Sequence, residues 1–368
     1  MNTTQHTGRR ALACLLAACA LAILPFASPA KPAGAEGDNF IYQVEAGDTL
    51  LALAERYTGK SANWQALQSL NHIGDPTRLP IALELKIPFS LIPEDPSQAR
   101  VSHVSGEARL DGEPLRQGDL ASEGNVIRTG ARGYVTLALS DGSKISVPAN
   151  SALHLKRLRV FRGTGLTDSI FSMQDGGLES EVSPEHTGVG RFEVQTPVSI
   201  TGVRGTRLRV RVASDGSQSE VIQGRARLNT SQAGRAMLRA GQGAATSASG
   251  ELLGVRQLLP APQVSDPKRG GGGWQAHITP MPDAVAYLVR VAGDSQGTQL
   301  YSSQRVRGPD ISFSAPGTGH YYARVRAIDA NGIMGEDAVL PFEGLAALRT
   351  SFGLTVATGF QTPVLLGY

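Results

Sequence analysis

The sequence predicts a multidomain, mainly β protein with one small βααβ unit near its amino-terminal end. Three observations lead there. Glycine and proline number 43 and 21 among 368 residues, a turn-rich composition suited to short strands. Over residues 101–245, and again over 260–343, apolar residues alternate with polar ones at the period of a half-buried strand. Between residues 40 and 88, two apolar stripes instead recur at helical spacing, flanked by two strand-like runs. At 38.7 kDa the chain has room for roughly two to three domains of about 150 residues.

The composition also narrows function. Hydrophobic residues make up 41%, enough to build cores, whereas charged residues make up only 18%. Lys and Arg number 35 against 32 Asp and Glu, which lacks the concentrated basic excess of a nucleic-acid binder. The cysteines are Cys14 and Cys19 alone, so the folded domains hold no disulfide framework, Cys-rich zinc site or thiol nucleophile.

Residues 1–35 are expected to be an export signal. Arg9-Arg10 is a short basic region, Ala11 to Ala30 is almost wholly apolar, and Ser28-Pro29-Ala30 and Ala33-Gly34-Ala35 both fit a small-residue cleavage site. Leu16-Ala17-Ala18-Cys19 also resembles a bacterial lipobox, which leaves lipoprotein processing open. Membrane attachment would then come only through lipidation of Cys19 or through an uncleaved signal. The protein is expected in the periplasm or cell envelope.

The unit at residues 40–88 begins with a strand over Ile41 to Val44. Gly47-Asp48-Thr49 follows as a turn with helix-capping side chains, and Leu50, Leu53, Ala54 and Tyr57 form a first helical stripe. Gly59 ends that helix, and Trp64, Leu67 and Leu70 make a second stripe that Asn71 and Gly74-Asp75-Pro76 terminate. Leu83, Leu85 and Ile87 alternate with Glu84 and Lys86 as a closing strand. From Tyr42-Gln43-Val44-Glu45-Ala46-Gly47-Asp48-Thr49-Leu50, through Leu53-Ala54, Trp64, Leu67 and Asn71, to Leu85-Lys86-Ile87-Pro88, the unit resembles the LysM family. The resemblance implies recognition of peptidoglycan, an N-acetylglucosamine-containing glycan, in a shallow groove between the loop Gly47 to Leu50 and the loop Asn71 to Leu79. Its glycan-binding candidates are Gly47, Asp48, Thr49, Leu50, Asn71, Ile73 and Pro76. A competing role is capping for Asp48 and Thr49, and core packing for Trp64. Pro80-Ile81-Ala82 departs from the family, which often has a glycine before its last strand.

Residues 89–100, with Pro93, Pro96 and Glu94-Asp95, read as a linker. The all-β domain of residues 101–245 carries Val135, Leu137 and Leu139 in alternation, an Asp141-Gly142 turn, and a second block with Leu208, Val210 and Val212. Ile127-Arg128-Thr129-Gly130, Phe192-Glu193-Val194-Gln195-Thr196-Pro197 and Gly202-Val203-Arg204-Gly205-Thr206 resemble the periplasmic domain of the FecR family. Founding members relay a transport signal to a sigma factor, with a cytoplasmic segment and a membrane span ahead of the β-domain. An export signal and a LysM-like module stand here instead. Three basic groups fall on predicted strands: Arg207, Arg209 and Arg211; Lys156, Arg157, Arg159 and Arg162; and Arg225 with Arg227. They are expected either to attract anionic polymers or acidic partners, or to be ordinary solvated faces.

Residues 260–343 follow a glycine run. Trp274, Ala286-Tyr287 and Tyr321-Tyr322-Ala323-Arg324-Val325-Arg326-Ala327 resemble an immunoglobulin or fibronectin type III-like β-sandwich. Residues 344–368 form an apolar tail. No zinc spacing of histidines and no nucleophile motif occurs, Thr58-Gly59-Lys60-Ser61 lacks the earlier glycine of a phosphate loop, and Glu179 and Glu181 are expected in a surface turn. No enzyme and no cofactor are expected. The expected function is a non-catalytic envelope protein that binds peptidoglycan and acts as an adaptor toward an unidentified envelope protein; the alternative is a periplasmic signalling component.

Overall fold

In the computed structural model, residues 34–184, 188–270 and 273–344 are described, with positions 348, 350–352, 354, 356, 357, 359 and 364 beyond them. The expected export segment up to residue 33 lies outside the described residues. Its last two residues do not: β1 (Gly34–Glu36) pairs antiparallel with β2 (Asn39–Gln43), Ala35 opposite Phe40. Small residues that fit a cleavage site fit a tight hairpin equally well, so a cut after Ala35 would sever a strand.

Next come α1 (Leu50–Thr58), α2 (Trp64–Asn71) and β3 (Glu84–Pro88), giving the βααβ order with β1 added at the sheet edge. Thr49 caps α1 by accepting from the Ala52 amide, and Gly59 ends it in the left-handed region. Leu50, Leu53, Ala54 and Leu67 are buried against Phe40, Tyr42, Leu85 and Ile87.

Residues 89–100 are not a linker. After a single 3-10 turn come β4 (Glu94–Pro96) and the start of β5 (Gln98–Ser105). The polar and proline composition that reads as a spacer also suits a short edge strand, because proline there needs no amide partner. The large sheet then runs through β6 (Ala108–Leu110), β7 (Glu113–Pro114), β8 (Leu120–Ser122), β9 (Val126–Thr129), β10 (Tyr134–Ala138) and β11 (Lys144–Val147). The long strands β12 (Ala152–Phe161), β13 (Leu166–Glu181), β14 (Val189–Gln195), β15 (Ser199–Ala213) and β16 (Gly216–Thr230) follow, then β17 (Arg235–Arg239), β18 (Gln242–Ser247) and β19 (Leu252–Gln257). The β-body thus spans residues 94–257, wider at both ends than the expected 101–245.

A bulge divides the β15–β16 pair into two arms. The register slips between Arg204 and Arg207, opposite Gly224. Gly224 has φ 86°, and a Cβ there would sit 2.7 Å from the Gly205 carbonyl oxygen, so only glycine fits. One arm pairs with β14 and β17, the other with β13 and β18.

The carboxyl-terminal unit has β20 (Lys268–Gly270), β21 (Gly273–His277), β22 (Ala286–Ala292), β23 (Leu300–Val306), β24 (Asp310–Phe313), β25 (Gly319–Ile328) and β26 (Ala338–Gly344). They form two sheets, β20-β21-β24 and β23-β22-β25-β26, around a shared core of Val289, Val291, Ile311, Phe313, Val325 and Phe342. This is a two-sheet sandwich. In the tail, the described residues Leu348, Val356 and Val364 hydrogen-bond to one another through the backbone.

Candidate functional site

The two loops expected to form the groove meet at one hydrogen bond, from the Leu50 amide to the Pro76 carbonyl, 3.0 Å. Most of the candidate side chains, however, are engaged internally. Asp48 Oδ2 accepts from the Tyr42 hydroxyl and from the Glu45 amide, each at 2.8 Å, which pins the turn to the first strand. Burial and this carboxylate hold the Tyr42 phenol far above its ordinary range. Thr49 Oγ1 caps α1, and the Leu50 side chain is fully buried.

Asn71 is a clamp. Its Nδ2 donates to the Leu67 and Lys86 carbonyls, 2.8 and 2.9 Å, and its Oδ1 accepts from the Lys86 amide at 2.8 Å. One side chain thus closes α2 onto β3. Ile73 bonds Gln68 through both backbone groups and packs half-buried on the module core. Gly47 is exposed with φ 91° and open space where a Cβ would be. What the groove offers outward is therefore loop backbone, with Ile73 and Pro76 as partly exposed apolar surface. An exposed apolar side chain beside these loops that the sequence candidates leave out is Leu51, 56% exposed on the first turn of α1. Its signal was available, because it falls off the stripe of Leu50, Leu53, Ala54 and Tyr57.

Below the groove, Asp75 takes hydrogen bonds from the Thr77 hydroxyl and amide, which lower its pKa. Ala82, where the LysM pattern favours glycine, adopts φ 66° and stores left-handed strain.

The module does not hang free of the β-body. Phe161 and Leu166, from the turn joining β12 to β13, belong to the same hydrophobic cluster as Phe40, Tyr57 and Leu85. The Phe89 and Phe161 rings stack at 4.2 Å and 16°. β4 pairs with β12, and the Arg162 amide bonds the Pro93 carbonyl at 2.8 Å. A full core crosses the boundary.

The basic groups of β12 and β15 are engaged within the protein, with Lys156 and Arg162 remaining exposed. Arg157 pairs with Glu94 and with the fully buried Asp168, Arg159 with Glu123 at 2.6 and 2.7 Å, and Arg162 with Asp95. Lys156 bonds Gln195. Arg209 is buried beneath the sandwich, where it reaches Asp337 at 2.9 Å and the Gly335 carbonyl at 2.8 Å. Arg211 bonds the Gly332 carbonyl and Arg207 bonds Gln296. From the sandwich, Arg326 joins Glu179 to Asp337, Arg290 joins Glu179 and Arg324 joins Asp337, all at 2.7 to 2.8 Å. Glu179 is therefore in β13, at an interface, not in a surface turn. Burial would raise the Asp337 and Glu179 carboxyls, but the surrounding guanidiniums outweigh it and hold both well below the usual range. Glu220, also buried there and accepting from the Met334 amide, is shifted up because desolvation dominates.

Comparison with protein families decides what the amino-terminal module and the body are. Residues 42–88 match the LysM domain and residues 125–227 match FecR protein. The chain carries a LysM domain and a FecR region. Among curated proteins nothing matches the chain. Among solved structures, two of a protein described as an anti-sigma factor from Parabacteroides distasonis ATCC 8503 align at 15% and 17% identity and TM-score 0.30. Each alignment covers 36% of this chain and 59% of that one, under two thirds of its length. The extracellular domain of a hybrid two-component system from B. thetaiotaomicron aligns at 8% identity and TM-score 0.16, over 72% of this chain and 61% of that one. None of the three carries an inference here.

The LysM domain is the part of the chain suited to peptidoglycan, and the FecR region places the protein among binding and signalling components of the cell envelope. Among the described residues, no helix is long and apolar enough to cross a membrane, and no cluster of three or more metal-ligating side chains occurs.

Proposed function

We propose that this protein is an exported, non-catalytic adaptor of the bacterial cell envelope. The LysM loops Gly47 to Leu50 and Asn71 to Leu79 bind N-acetylglucosamine-containing glycan mainly through backbone groups, with Leu51, Ile73 and Pro76 covering the acetamide methyl. Asp48, Thr49, Leu50 and Asn71 shape the groove from behind rather than touching the sugar. The observation that carries the adaptor reading is the shared core of Phe161 and Leu166 with the LysM domain. Through it, a glycan-bound module holds the β-body and sandwich in a set orientation for a second envelope protein. The FecR match favours a second reading, in which the same frame passes wall status to a membrane receptor.

The test is co-sedimentation with purified sacculi at about 0.5 M salt, where the screening length is only a few ångströms and ion-mediated adhesion fails. The intact chain should sediment, and Leu51→Asp, on an exposed position, should not. Sedimentation that salt releases, or that Leu51→Asp leaves intact, overturns groove binding. Release of soluble wall fragments above a heat-killed control would make the protein an enzyme.

A further inference from the structure

Of the three basic groups on the FecR region, two are partnered within the protein: Arg157, Arg159 and Arg162 by Glu94, Asp168, Glu123 and Asp95, and Arg209, Arg207 and Arg211 by Asp337, Gln296 and the Gly332 carbonyl. The third is not. Arg225 and Arg227 on β16 and Arg239 on β17 are exposed, and among the described residues no carboxylate pairs with them. Strand register puts Arg225 directly opposite Arg239. Like charges in directly opposed positions destabilise a sheet. The intervening Ala226, Leu228 and Leu238 are buried, so the alternation sends Arg225, Arg227 and Arg239 to the same outer face.

That face is one wall of a cleft of about 990 Å³. The opposite wall belongs to the LysM domain, at Asp38, Asn39, Pro88 and Phe89. Such a volume is at the upper end of small-molecule sites and suits a segment of polymer. The arginine wall is interrupted by apolar side chains, Ile200 at 41% and Met237 at 51% exposure, the latter directly opposite Arg227. Glu193 also lines the cleft and bonds Gln195 rather than any of these arginines. A uniform polyanion would meet Glu193 and gain nothing from Ile200 or Met237. A polypeptide mixing acidic and apolar residues would match both. The chain's own ends cannot supply it, since residues 1–33 and 345–368 contain no Asp or Glu.

From this we infer that the cleft between the LysM domain and strands β15–β17 binds an acidic segment of a partner protein. Its carboxylates pair with Arg225, Arg227 and Arg239, and its apolar side chains cover Ile200 and Met237. The inference goes beyond glycan recognition and does not depend on it.

The test uses the intact chain and fluorescence anisotropy of a labelled peptide in which Glu and Leu alternate. Saturable binding at low salt is expected. The Arg225→Ala/Arg227→Ala/Arg239→Ala variant should bind at least about tenfold more weakly, as expected for charges that govern complementarity at an interface. Ile200→Ser/Met237→Ser should also weaken the peptide. Both variants should keep the thermal transition of the parent, since every substituted side chain is exposed. Leu51→Asp should bind the peptide like the parent, which separates this site from the glycan groove. Binding that survives the triple substitution, or absence of any saturable binding, overturns the inference. So does inorganic polyphosphate bound as tightly as the peptide and indifferent to Ile200→Ser/Met237→Ser, which would assign the cleft to a uniform polyanion.

Discussion

Asp337→Asn should loosen the joint between the β-body and the sandwich. The Asp337 side chain is 7% exposed and receives Arg209 at 2.9 Å, Arg324 at 2.7 Å and Arg326 at 2.7 and 3.1 Å. The amide keeps the shape and removes the charge, leaving three buried guanidiniums to share Glu179, which already serves Arg290 and Arg326. Breaking a buried ion pair by removing one partner costs about 3–5 kcal/mol. For the body and sandwich together, at about 2–4 °C per kcal/mol, that is a fall in Tm of roughly 6–20 °C. Trp274 lies in the sandwich and Trp64 in the LysM domain, so Trp64→Phe leaves a fluorescence reporter on the affected side. Its transition should move to lower temperature than that of the LysM domain. The pH dependence follows from the depressed carboxyls. A carboxyl whose folded pKa is lowered gives stability that is complete above its unfolded value, near pH 4, and is lost as pH falls below it. The parent should therefore weaken below about pH 4, and Asp337→Asn should show a shallower acid slope. A change of less than about 1 kcal/mol at pH 7, with the Trp274 transition unmoved, would refute the reasoning.

Phe161→Ala should cost about 3–5 kcal/mol, because the ring is 2% exposed and stacked on Phe89; loss of protection in LysM amides by hydrogen exchange is the readout. Ala82→Gly should stabilise the LysM domain by about 1 kcal/mol by relieving the left-handed alanine, seen as slower exchange of the Val44 and Leu83 amides. Glu220→Gln keeps an acceptor for Met334 and removes a carboxyl whose pKa burial raises. The parent loses stability as pH rises from Glu220's unfolded value toward its folded one, so the variant's advantage in denaturant midpoint should be larger at pH 7 than at pH 5.

The LysM domain was readable because its determinants are local. Thr49 caps the helix that Leu50 begins, and Gly59 closes it ten residues later. The two-period strands of the β-body were readable for the same reason. What covers a strand's polar face is not a local property. The alternation of Arg207, Arg209 and Arg211 correctly separates two faces, but the groups that receive them lie far along the chain, Asp337 being 128 residues from Arg209. The same holds for Glu94 in β4 and Glu123 in the turn after β8, which receive Arg157 and Arg159, although Arg157's other acid, Asp168, is a hairpin neighbour only 11 residues away. Pro93 and Pro96 misled because edge strands and spacers share a composition. Among the groove candidates, the motif located the loops, while only coordinates could tell that Asp48 and Asn71 face inward.

The ion cluster also sets a timetable for the newborn chain. Glu179 and the arginine that completes its pairing, Arg326, are 147 residues apart. Synthesis at about 5–20 residues per second separates the two by roughly 7–30 s, so any folding that starts while the chain is still emerging meets Glu179 before its partner. During that interval the strands on either side, β11 and β15, can pair with β13, but the sheet face destined for the sandwich stays wet, with Arg209 and Glu220 still hydrated. Dehydration of the cluster is thus deferred to the end of biogenesis. The step that locks the body to the sandwich waits for Arg326 and Asp337, and a product truncated before Asp337 would keep a highly charged, hydrated surface in place of a seam.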